Sequence, residues 1–444
     1  SLTVSECAEK YRVVSSEAVA DDSLAGRWQN SRTPYLTEIM DAVNDPAINE
    51  ILFLKSAQVG GTEALLNIIA YHIKIKPSRI LYVCETETKA KQWSKEKLAP
   101  MLRDSPALSS LINTKQRDSN NEIEAKAFPG GHLAIAYATS PNSLSSRPIK
   151  ILLLDEVEAY EPTKEGDPVA LAEKRTTTAG ELRKIVYVST PRLKENSIML
   201  GKYEESTAEK YFVPCPHCDE FQQLTWKDSE GNPNVIWQDN DPSTAVYVCK
   251  HCGCEIADED KPYLLENGEW RVTNFDYKGN RRGFWLNELY SPFSTFAKIA
   301  ADFLEAKKNP ATLQTFVNTS LAEFWEANGE RIDYADLSFH QEEYEAEIPQ
   351  GVKLLTAGVD VQDDRLEIVV YGWGDDWESW SIDYKVIWGN PATNEIWDEC
   401  KAYLQRDFFD INENVLRIKA VGFDSGGHHT DKVYDICKAN GGRK

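Results

Sequence analysis

Residues 54–63 read LKSAQVGGTE; they follow the apolar run Ile51–Leu54 and lead into TEALLNIIAYHI. Leu65, Leu66, Ile68, Ile69, Tyr71 and Ile73 can form the buried side of a helix, so the stretch is predicted as strand, glycine turn and helix, an arrangement that binds nucleotide phosphates. A standard phosphate loop is GxxxxGK[ST]: backbone N–H groups hold the phosphates, Lys meets the β/γ oxygens and the hydroxyl binds Mg²⁺. Here Thr62 fits the hydroxyl position and Gly60 the last glycine, but Gly61 stands where Lys belongs and Lys55 where the first Gly belongs. The cation has moved to the front of the loop.

A phosphate needs a positive charge within reach, and a loop that folds its first residue back towards the same oxygens supplies it, with the helix N-terminus adding the rest. Lys55, Ser56, Gln58, Gly60, Gly61 and Thr62 are therefore the predicted ATP-binding residues, with Thr62 on Mg²⁺. On these residues alone, a Gly-Gly turn before an ordinary helix remains open. The stretch ILLLDEVEAY, 151–160, weighs against it, because four apolar residues end in Asp155-Glu156. In phosphoanhydride hydrolysis a carboxylate at a strand end holds Mg²⁺ while an adjacent one orients the attacking water, roles assigned here to Asp155 and Glu156.

Three further features fit the same pocket. KIVYVSTP, 184–191, ends in Ser189-Thr190, hydroxyls placed to sense a γ-phosphate or simply to cap a strand end. Arg147, in SLSSRP, is a candidate to stabilise transition-state charge in cis or from a neighbouring subunit, or an ordinary surface arginine. Trp28 and Tyr35, in GRWQNSRTPY, are candidates to stack on adenine, with plain packing as the alternative.

Between residues 50 and 190 the runs ILFLK, ILYVC, HLAIAYA, IKILLLD and KIVYVST alternate with helical patterns, which indicates a parallel sheet covered on both faces. Residues 205–265 change texture to Cys, Pro, Asn, Asp and Trp. Beyond them, SPFSTFAKIAADFLEAKKNPATLQTFVNTSLAEFW reads as two helices broken at Asn309-Pro310. LLTAGVDVQ, RLEIVVYGWG and WESWSIDYKVIWG then read as an antiparallel meander opening a second α/β domain. The implied division is 1–204 for a phosphate-loop domain, 205–265 for a cysteine module, 266–345 for a helical segment completing the first domain and 346–444 for the second.

The chain of 444 residues carries 49 Lys+Arg against 71 Asp+Glu, a net charge of −22, which argues against a general basic coat for gripping nucleic acid. Any such partner must meet a local basic patch. No apolar run approaches the roughly 20 residues of a membrane-spanning helix, and SLTVSECAEKYR lacks the apolar core of a signal peptide, so a soluble intracellular protein is expected. Nine cysteines, four of them in two CxxC pairs, suit metal binding in a reducing compartment better than a disulfide framework.

Cys215-Pro-His-Cys218 and Cys249-Lys-His-Cys252 each present two thiolates from one turn, and two such turns complete a tetrahedral Zn²⁺ site. A closed Cys₄ shell has no open position, so the metal is expected to stabilise a module too small to support itself. Cys254, His217 and His251 are close enough in sequence to compete. Asp360, within LLTAGVDVQ, and Asp424, ending IKAVGFD, place charges on otherwise apolar strands. Such charges carry a desolvation penalty unless a cation faces them, and two on neighbouring strands suit a divalent metal pair for phosphodiester hydrolysis, solvated strand ends being the alternative.

The motifs RTPY, KSAQVGGT, LLLDEVEAY, VSTP, CPHC, CKHC, SPFSTFAKIAADFLEA, TFVNTSLAEFWE, AGVDVQ and VGFDSGG occur in this order along nearly the whole chain. Together they make it resemble the large terminase subunit of lambda-type tailed bacteriophages, an ATP-driven motor and nuclease that packages DNA. The resemblance implies an α/β protein: a P-loop ATPase domain of the RecA-like, ASCE type, a small zinc-ribbon insertion and an RNase H-like nuclease domain. Asp360 and Asp424 match the first two acids binding Mg²⁺ or Mn²⁺ in that nuclease. The family places a third acid beyond VYDICKANGGRK, so the resemblance implies a truncated nuclease domain in this chain. It further implies double-stranded DNA, a small terminase subunit and the capsid portal as partners, a ring of copies when packaging, no membrane, and the cytoplasm of an infected bacterium as the place of action. A monomeric helicase-like DNA-dependent ATPase is the main alternative, although the C-terminal part has no second nucleotide-type core. A zinc-stabilised scaffold without activity is a more distant one.

Overall fold

The computed structural model describes residues 2–112, 125–145, 148–326, 346–375, 378–425 and 429–439. The chain divides into two compact units, Ser1–Asn328 and Gly329–Lys444. In chain order the first unit carries β1 (Val13–Val14), β2 (Gly26–Arg27), β3 (Glu50–Lys55), β4 (Arg79–Cys84), β5 (Ala125–Phe128), β6 (Gly131–Tyr137), β7 (Ile151–Asp155), β8 (Lys184–Ser189), β9 (Glu209–Pro214), β10 (Phe221–Gln223), β11 (Val235–Gln238), β12 (Asp241–Val248), β13 (Glu255–Ile256), β14 (Glu269–Arg271) and β15 (Arg281–Leu286).

Ten of these form one sheet in the order β10-β9-β15-β3-β8-β7-β4-β6-β5, with β14 attached to β9. The run from β9 to β6 is parallel, whereas β5, β10 and β14 join antiparallel at its flanks. β3, β7 and β8 are buried along their whole length. A parallel strand covered on both faces has no solvent side, so it reads as an unbroken apolar run rather than an alternation. Helix α1 (Val4–Tyr11), helix α2 (Tyr35–Asp41) and helix α3 (Gly61–Lys74) pack together, and α3 follows β3 directly.

The composition of the cysteine-rich segment predicts a separate small module, but the structure joins part of it to this core. The alternating EKYFVP of β9 buries Tyr211 and Val213 in the main core, and β10 extends the same sheet. Only β11, β12 and β13 form a separate three-stranded sheet. Trp226 ties that sheet to the helices Phe296–Ala306 and Pro310–Thr319, with ring centroids 5.2 Å from Phe303 and 5.6 Å from Phe316. The break between those two helices falls where the sequence puts it: Asn309 accepts from the Ala311 N–H at 2.8 Å and Pro310 takes the first helical position.

The second unit is built on β16 (Leu354–Val361), β17 (Arg365–Trp373) and β18 (Ser379–Trp388), an antiparallel meander, with β19 (Phe408–Phe409) and β20 (Val415–Leu416) as a small ribbon. β21 (Ile418–Phe423) lies parallel to β16 and gives the order β18-β17-β16-β21, the RNase H-like pattern implied above. Alternation is clean here: Leu355, Ala357 and Val359 of β16 and Leu366, Ile368 and Val370 of β17 face one core with Ile396, Trp397 and Cys400 of the helix Glu395–Leu404. A sheet covered on one face keeps a polar side, and Asp360 belongs to it.

Candidate active site

The phosphate loop leaves β3 at the carboxyl edge of the parallel sheet, between β8 and the beginning of α3. β4, the next strand in sequence, lies on the far side of β7, so the chain reverses direction across the sheet here and opens a crevice, the usual ligand site of such folds. Gly60 precedes α3 with φ +88° and no side chain caps the helix, which leaves its first N–H groups for a ligand. The backbone is pinned beneath by Ser56 N–H to Leu286 O at 2.9 Å and Ala57 N–H to Thr319 O at 2.7 Å.

Lys55 folds back as its position requires. Its Nζ donates to Glu156 Oε1 at 2.9 Å and to Thr190 Oγ1 at 3.1 Å, and its side chain is 6% exposed. The folded-back chain also explains the glycine in the lysine's usual place. A Cβ on Gly61 would lie 2.5 Å from Lys55 Cε and 2.8 Å from Val188 Cγ1, so the moved lysine and Gly61 are one substitution read twice.

On the other side of the loop, Thr62 Oγ1 donates to Asp155 Oδ2 at 3.1 Å. Tyr82 OH donates to the same oxygen at 2.5 Å, its ring stacked 3.7 Å from that of Trp93. Asp155 Oδ1 is buried and has no hydrogen-bond partner. Burial first, and then the charge of Glu156, raises the Asp155 carboxyl above its usual range. An orphaned carboxylate oxygen beside a hydroxyl is the all-oxygen donor set that suits Mg²⁺, and a dication there would remove the desolvation cost.

Glu156 sits in the left-handed region, φ 57° and ψ 52°, a conformation costing a non-glycine residue roughly 1 kcal/mol or more. That strain aims the carboxylate across the crevice: Oε1 meets Lys55 and Oε2 accepts from the Thr190 N–H at 3.1 Å. Burial pushes its carboxyl upward, but Lys55, the Thr190 N–H and Arg192 outweigh it and hold Glu156 below the usual range. It is thus ionised beside a neighbour whose ionisation is opposed, the division expected of a base next to a metal ligand.

The structure separates the paired candidates. Of Ser189-Thr190, only Thr190 reaches the crevice; the Ser189 hydroxyl accepts from the Glu158 N–H at 2.9 Å and donates to Thr190 O at 3.2 Å, capping the strand end. Of Trp28 and Tyr35, only Trp28 lines the cavity of about 630 Å³ beside the loop, together with Gln29, Arg32, Gln58, Gly60 and Glu63. Tyr35 opens α2 with its ring fully buried, 6.1 Å from Tyr211, because that face of the helix packs on β9. Ser56 is fully buried with an unpartnered hydroxyl, and Gln58 adopts φ +58° at the cavity wall. Arg147 lies outside the described residues.

Cys215, Cys218, Cys249 and Cys252 converge with all four sulfurs within 4.8 Å of one another. Cys215 Sγ lies 3.8 Å from Cys252 Sγ and Cys218 Sγ 3.9 Å from Cys249 Sγ. A tetrahedron with Zn–S bonds of about 2.3 Å has edges of roughly 3.8 Å, so the thiolate cage already has the size of a zinc site. The His217 and His251 N–H groups donate to Cys215 Sγ and Cys249 Sγ, each at 3.4 Å, the second shell such sulfurs need. Cys254 is exposed and is not one of the four, and His217 Nε2 bonds instead to Glu255 O at 2.9 Å.

In the second unit, Val359 pairs with Phe423, and the Asp424 N–H donates to Val359 O at 2.9 Å, which brings Asp360 and Asp424 to adjacent strands. Asp360 Oδ2 accepts from Gln362 Nε2 at 2.5 Å. Glu367, which the sequence did not single out, pairs with Asp360 across the ladder and is held by Arg365 and Tyr384, each at 2.6 Å. A carboxylate two residues into an alternating strand carries no motif. Only the register shows its partner.

Residues 22–270 match the family described as phage terminase large subunit gpA, ATPase domain, and residues 281–444 match terminase large subunit gpA, endonuclease domain. The terminase large subunit of Enterobacteria phage P21 is 30% identical over 99% of this chain and 71% of its own length. That of Escherichia phage lambda is 31% identical over 94% of this chain and 68% of its own. The chain belongs to the phage terminase large subunits. Among solved structures, the HK97 bacteriophage large terminase aligns with 99% of this chain and 78% of its own at a TM-score of 0.46 and 14% identity.

As a terminase large subunit, the chain is an ATP-driven DNA-packaging motor with an endonuclease, which uses nucleotide and divalent metal and works with DNA and packaging partners. The matched nuclease half disfavours the helicase-like alternative. Among the described residues, no helix is long and apolar enough to cross a membrane.

Proposed function

We propose that the first unit hydrolyses ATP to drive double-stranded DNA into a procapsid, and that Asp360 and Asp424 of the second cut concatemeric DNA. The observation that carries the first part is the meeting of Lys55, Glu156 and Thr190 on one side of the loop with Thr62 and Asp155 on the other. Lys55 exchanges Glu156 for the terminal phosphoryl group, whose oxygens carry more charge than one carboxylate. The released Glu156 orients the attacking water and accepts its proton, while Thr190, bonded to both partners, registers loss of the phosphate. Gln58, Gly60 and Gly61 lend the loop amides, Ser56, whose N–H is taken by Leu286 O, offers only its unpartnered hydroxyl, and Trp28 rather than Tyr35 stacks on adenine. Arg147 is the arginine that stabilises developing charge, from the same or a neighbouring subunit.

Asp155 and Thr62 would hold Mg²⁺, which when bound neutralises β/γ charge. Asp360 and Asp424 would hold Mg²⁺ or Mn²⁺ to stabilise the attacked phosphodiester, and the four cysteines would hold a structural Zn²⁺. Labour divides along the sequence: 1–204 hydrolyses, 205–265 carries zinc, 266–345 completes the ATPase and 346–444 cuts. A small terminase subunit and the capsid portal are the partners, a ring of copies is the packaging assembly, and the infected cell's cytoplasm is the setting.

Glu156→Gln in the full chain should lower ATP turnover by about 100-fold or more while ATP still binds. Unaltered turnover would remove the base assignment. Lys55→Ala should weaken ATP binding, with exposed Lys298→Ala as the control; equal losses from both would place the phosphate elsewhere.

A further inference from the structure

Arg12 follows α1, ten residues before the matched ATPase segment begins at residue 22, and it is 2% exposed. A buried guanidinium is costly unless its donors are used, and here both terminal nitrogens are used on one helix while Nε is buried without a partner. Nη1 donates to Asn67 Oδ1 at 2.6 Å and to Glu63 O at 3.2 Å, and Nη2 forms an ion pair with the Glu63 carboxylate. Glu63 and Asn67 lie on successive turns of α3, whose first turn carries Gly61 and Thr62. The guanidinium carbon lies 5.0 Å from the ring of Trp28, a wall of the 630 Å³ cavity that Gln58, Gly60 and Glu63 also line. Trp28 is held a second way, through Nε1 to Asn30 Oδ1 at 2.7 Å. One side chain therefore touches both the wall on which a base would lie and the helix that carries the phosphate loop.

We propose that Arg12 is a positioning residue for the nucleotide, setting the distance between the Trp28 wall and the phosphate loop so that base and triphosphate are gripped together. This rests on the reading of the crevice and cavity as an ATP site. Arg12 touches no reacting atom, so its loss acts on nucleotide affinity and leaves the chemical step alone. It also acts only on ligands that have a base. Lysine keeps the charge at this position but cannot reproduce a planar fork that bonds two side chains while stacking on an indole.

The test uses the full chain with Mg²⁺, measures KM and kcat for ATP, and measures the inhibition constant of inorganic tripolyphosphate, which has no base. Arg12→Lys should raise KM for ATP about tenfold, the loss expected for a charge-assisted bond, with kcat within about twofold and the tripolyphosphate constant unchanged. Trp28→Ala should do the same, and the double variant should be no worse than Trp28→Ala alone, since both act on one contact. If Arg12→Lys weakens ATP and tripolyphosphate equally, or lowers kcat, the residue only supports the fold and the proposal fails. If Trp28→Ala is selective for ATP and Arg12→Lys is without effect, the nucleoside cavity stands and the role of Arg12 is overturned. If Trp28→Ala weakens both ligands alike, the cavity reading itself falls. Thermal melting of Arg12→Lys distinguishes any of these from simple unfolding.

Discussion

Asp155 and Asp360 both stand on apolar strands next to a second acid, yet their surroundings are opposite. Asp155 is 9% exposed, with one oxygen bonded by Thr62 and Tyr82 and the other buried and orphaned. Asp360 lies on the uncovered face of an alternating sheet and bonds a glutamine two residues on. The proposed ATP site is preorganised by packing around Lys55 and Asp155, so Lys55 is paired with a strained Glu156 before ligand arrives. The proposed cutting site lies on an open face, and its charge balance would come from a bound metal. A buried site should be intolerant of shape changes, and an open one intolerant only of lost ligands.

Asp360→Asn or Asp424→Asn should give the largest effect, reducing DNA cutting about 1,000-fold while ATP turnover stays within about twofold, because several kcal/mol of metal-supplied charge stabilisation is lost at one site only. A matching fall in ATPase would mean the two sites are not separable. Gly61→Ala comes next: with Lys55 and Val188 in the way, one methyl should cost about 100-fold in ATP turnover, as misplaced catalytic groups typically do. Gly358→Ala, beside Asp360 with nothing within 4 Å of its Cβ, should leave cutting within about twofold. Equal sensitivity would erase the contrast between closed and open sites.

The pH dependence follows from opposed shifts. Asp155 is raised, so its contribution to the ligand-free protein is full below its ordinary pKa and is lost as pH rises through the folded value. Glu156 is lowered, so its contribution is present above its ordinary pKa and is lost as pH falls through the folded one. Asp155→Asn should therefore raise the neutral-pH Tm by roughly 2 °C, about 1 kcal/mol, with the gain vanishing in acid; a lower Tm at pH 7 would contradict it. Because β9 and β10 belong to the main sheet, removal of metal from the cysteines should lower Tm by about 5 °C rather than unfold the unit. Loss of all cooperative melting would restore the view of a module dependent on zinc.

Much of this architecture is legible along the chain, because parallel strands write themselves as apolar runs and a CxxC pair as a metal knuckle. Lys55, Thr62, Asp155 and Glu156 were readable for the same reason: each stands at a strand end or turn where the local pattern breaks. Tyr82 and Glu367 were not, since an aromatic inside ILYVC and an acid inside RLEIVV are ordinary strand residues until their neighbours are known. Tyr35 and Ser189 looked equal to Trp28 and Thr190 because sequence gives adjacency but not direction.

Sequence alone determined the element types, the deviant loop, the acidic pair, the four cysteines and the family, all of which depend on local spacing or on motif order. Tertiary structure alone decided that Gly61 makes room for the relocated lysine and that a strained backbone turns Glu156 towards it. It also decided that the cysteine strands share the main core, and that Arg12 reaches across 51 residues to Glu63. The physical reason is the same in each case: these are contacts between side chains far apart in the chain, and their energies exist only once the sheet has set the distances.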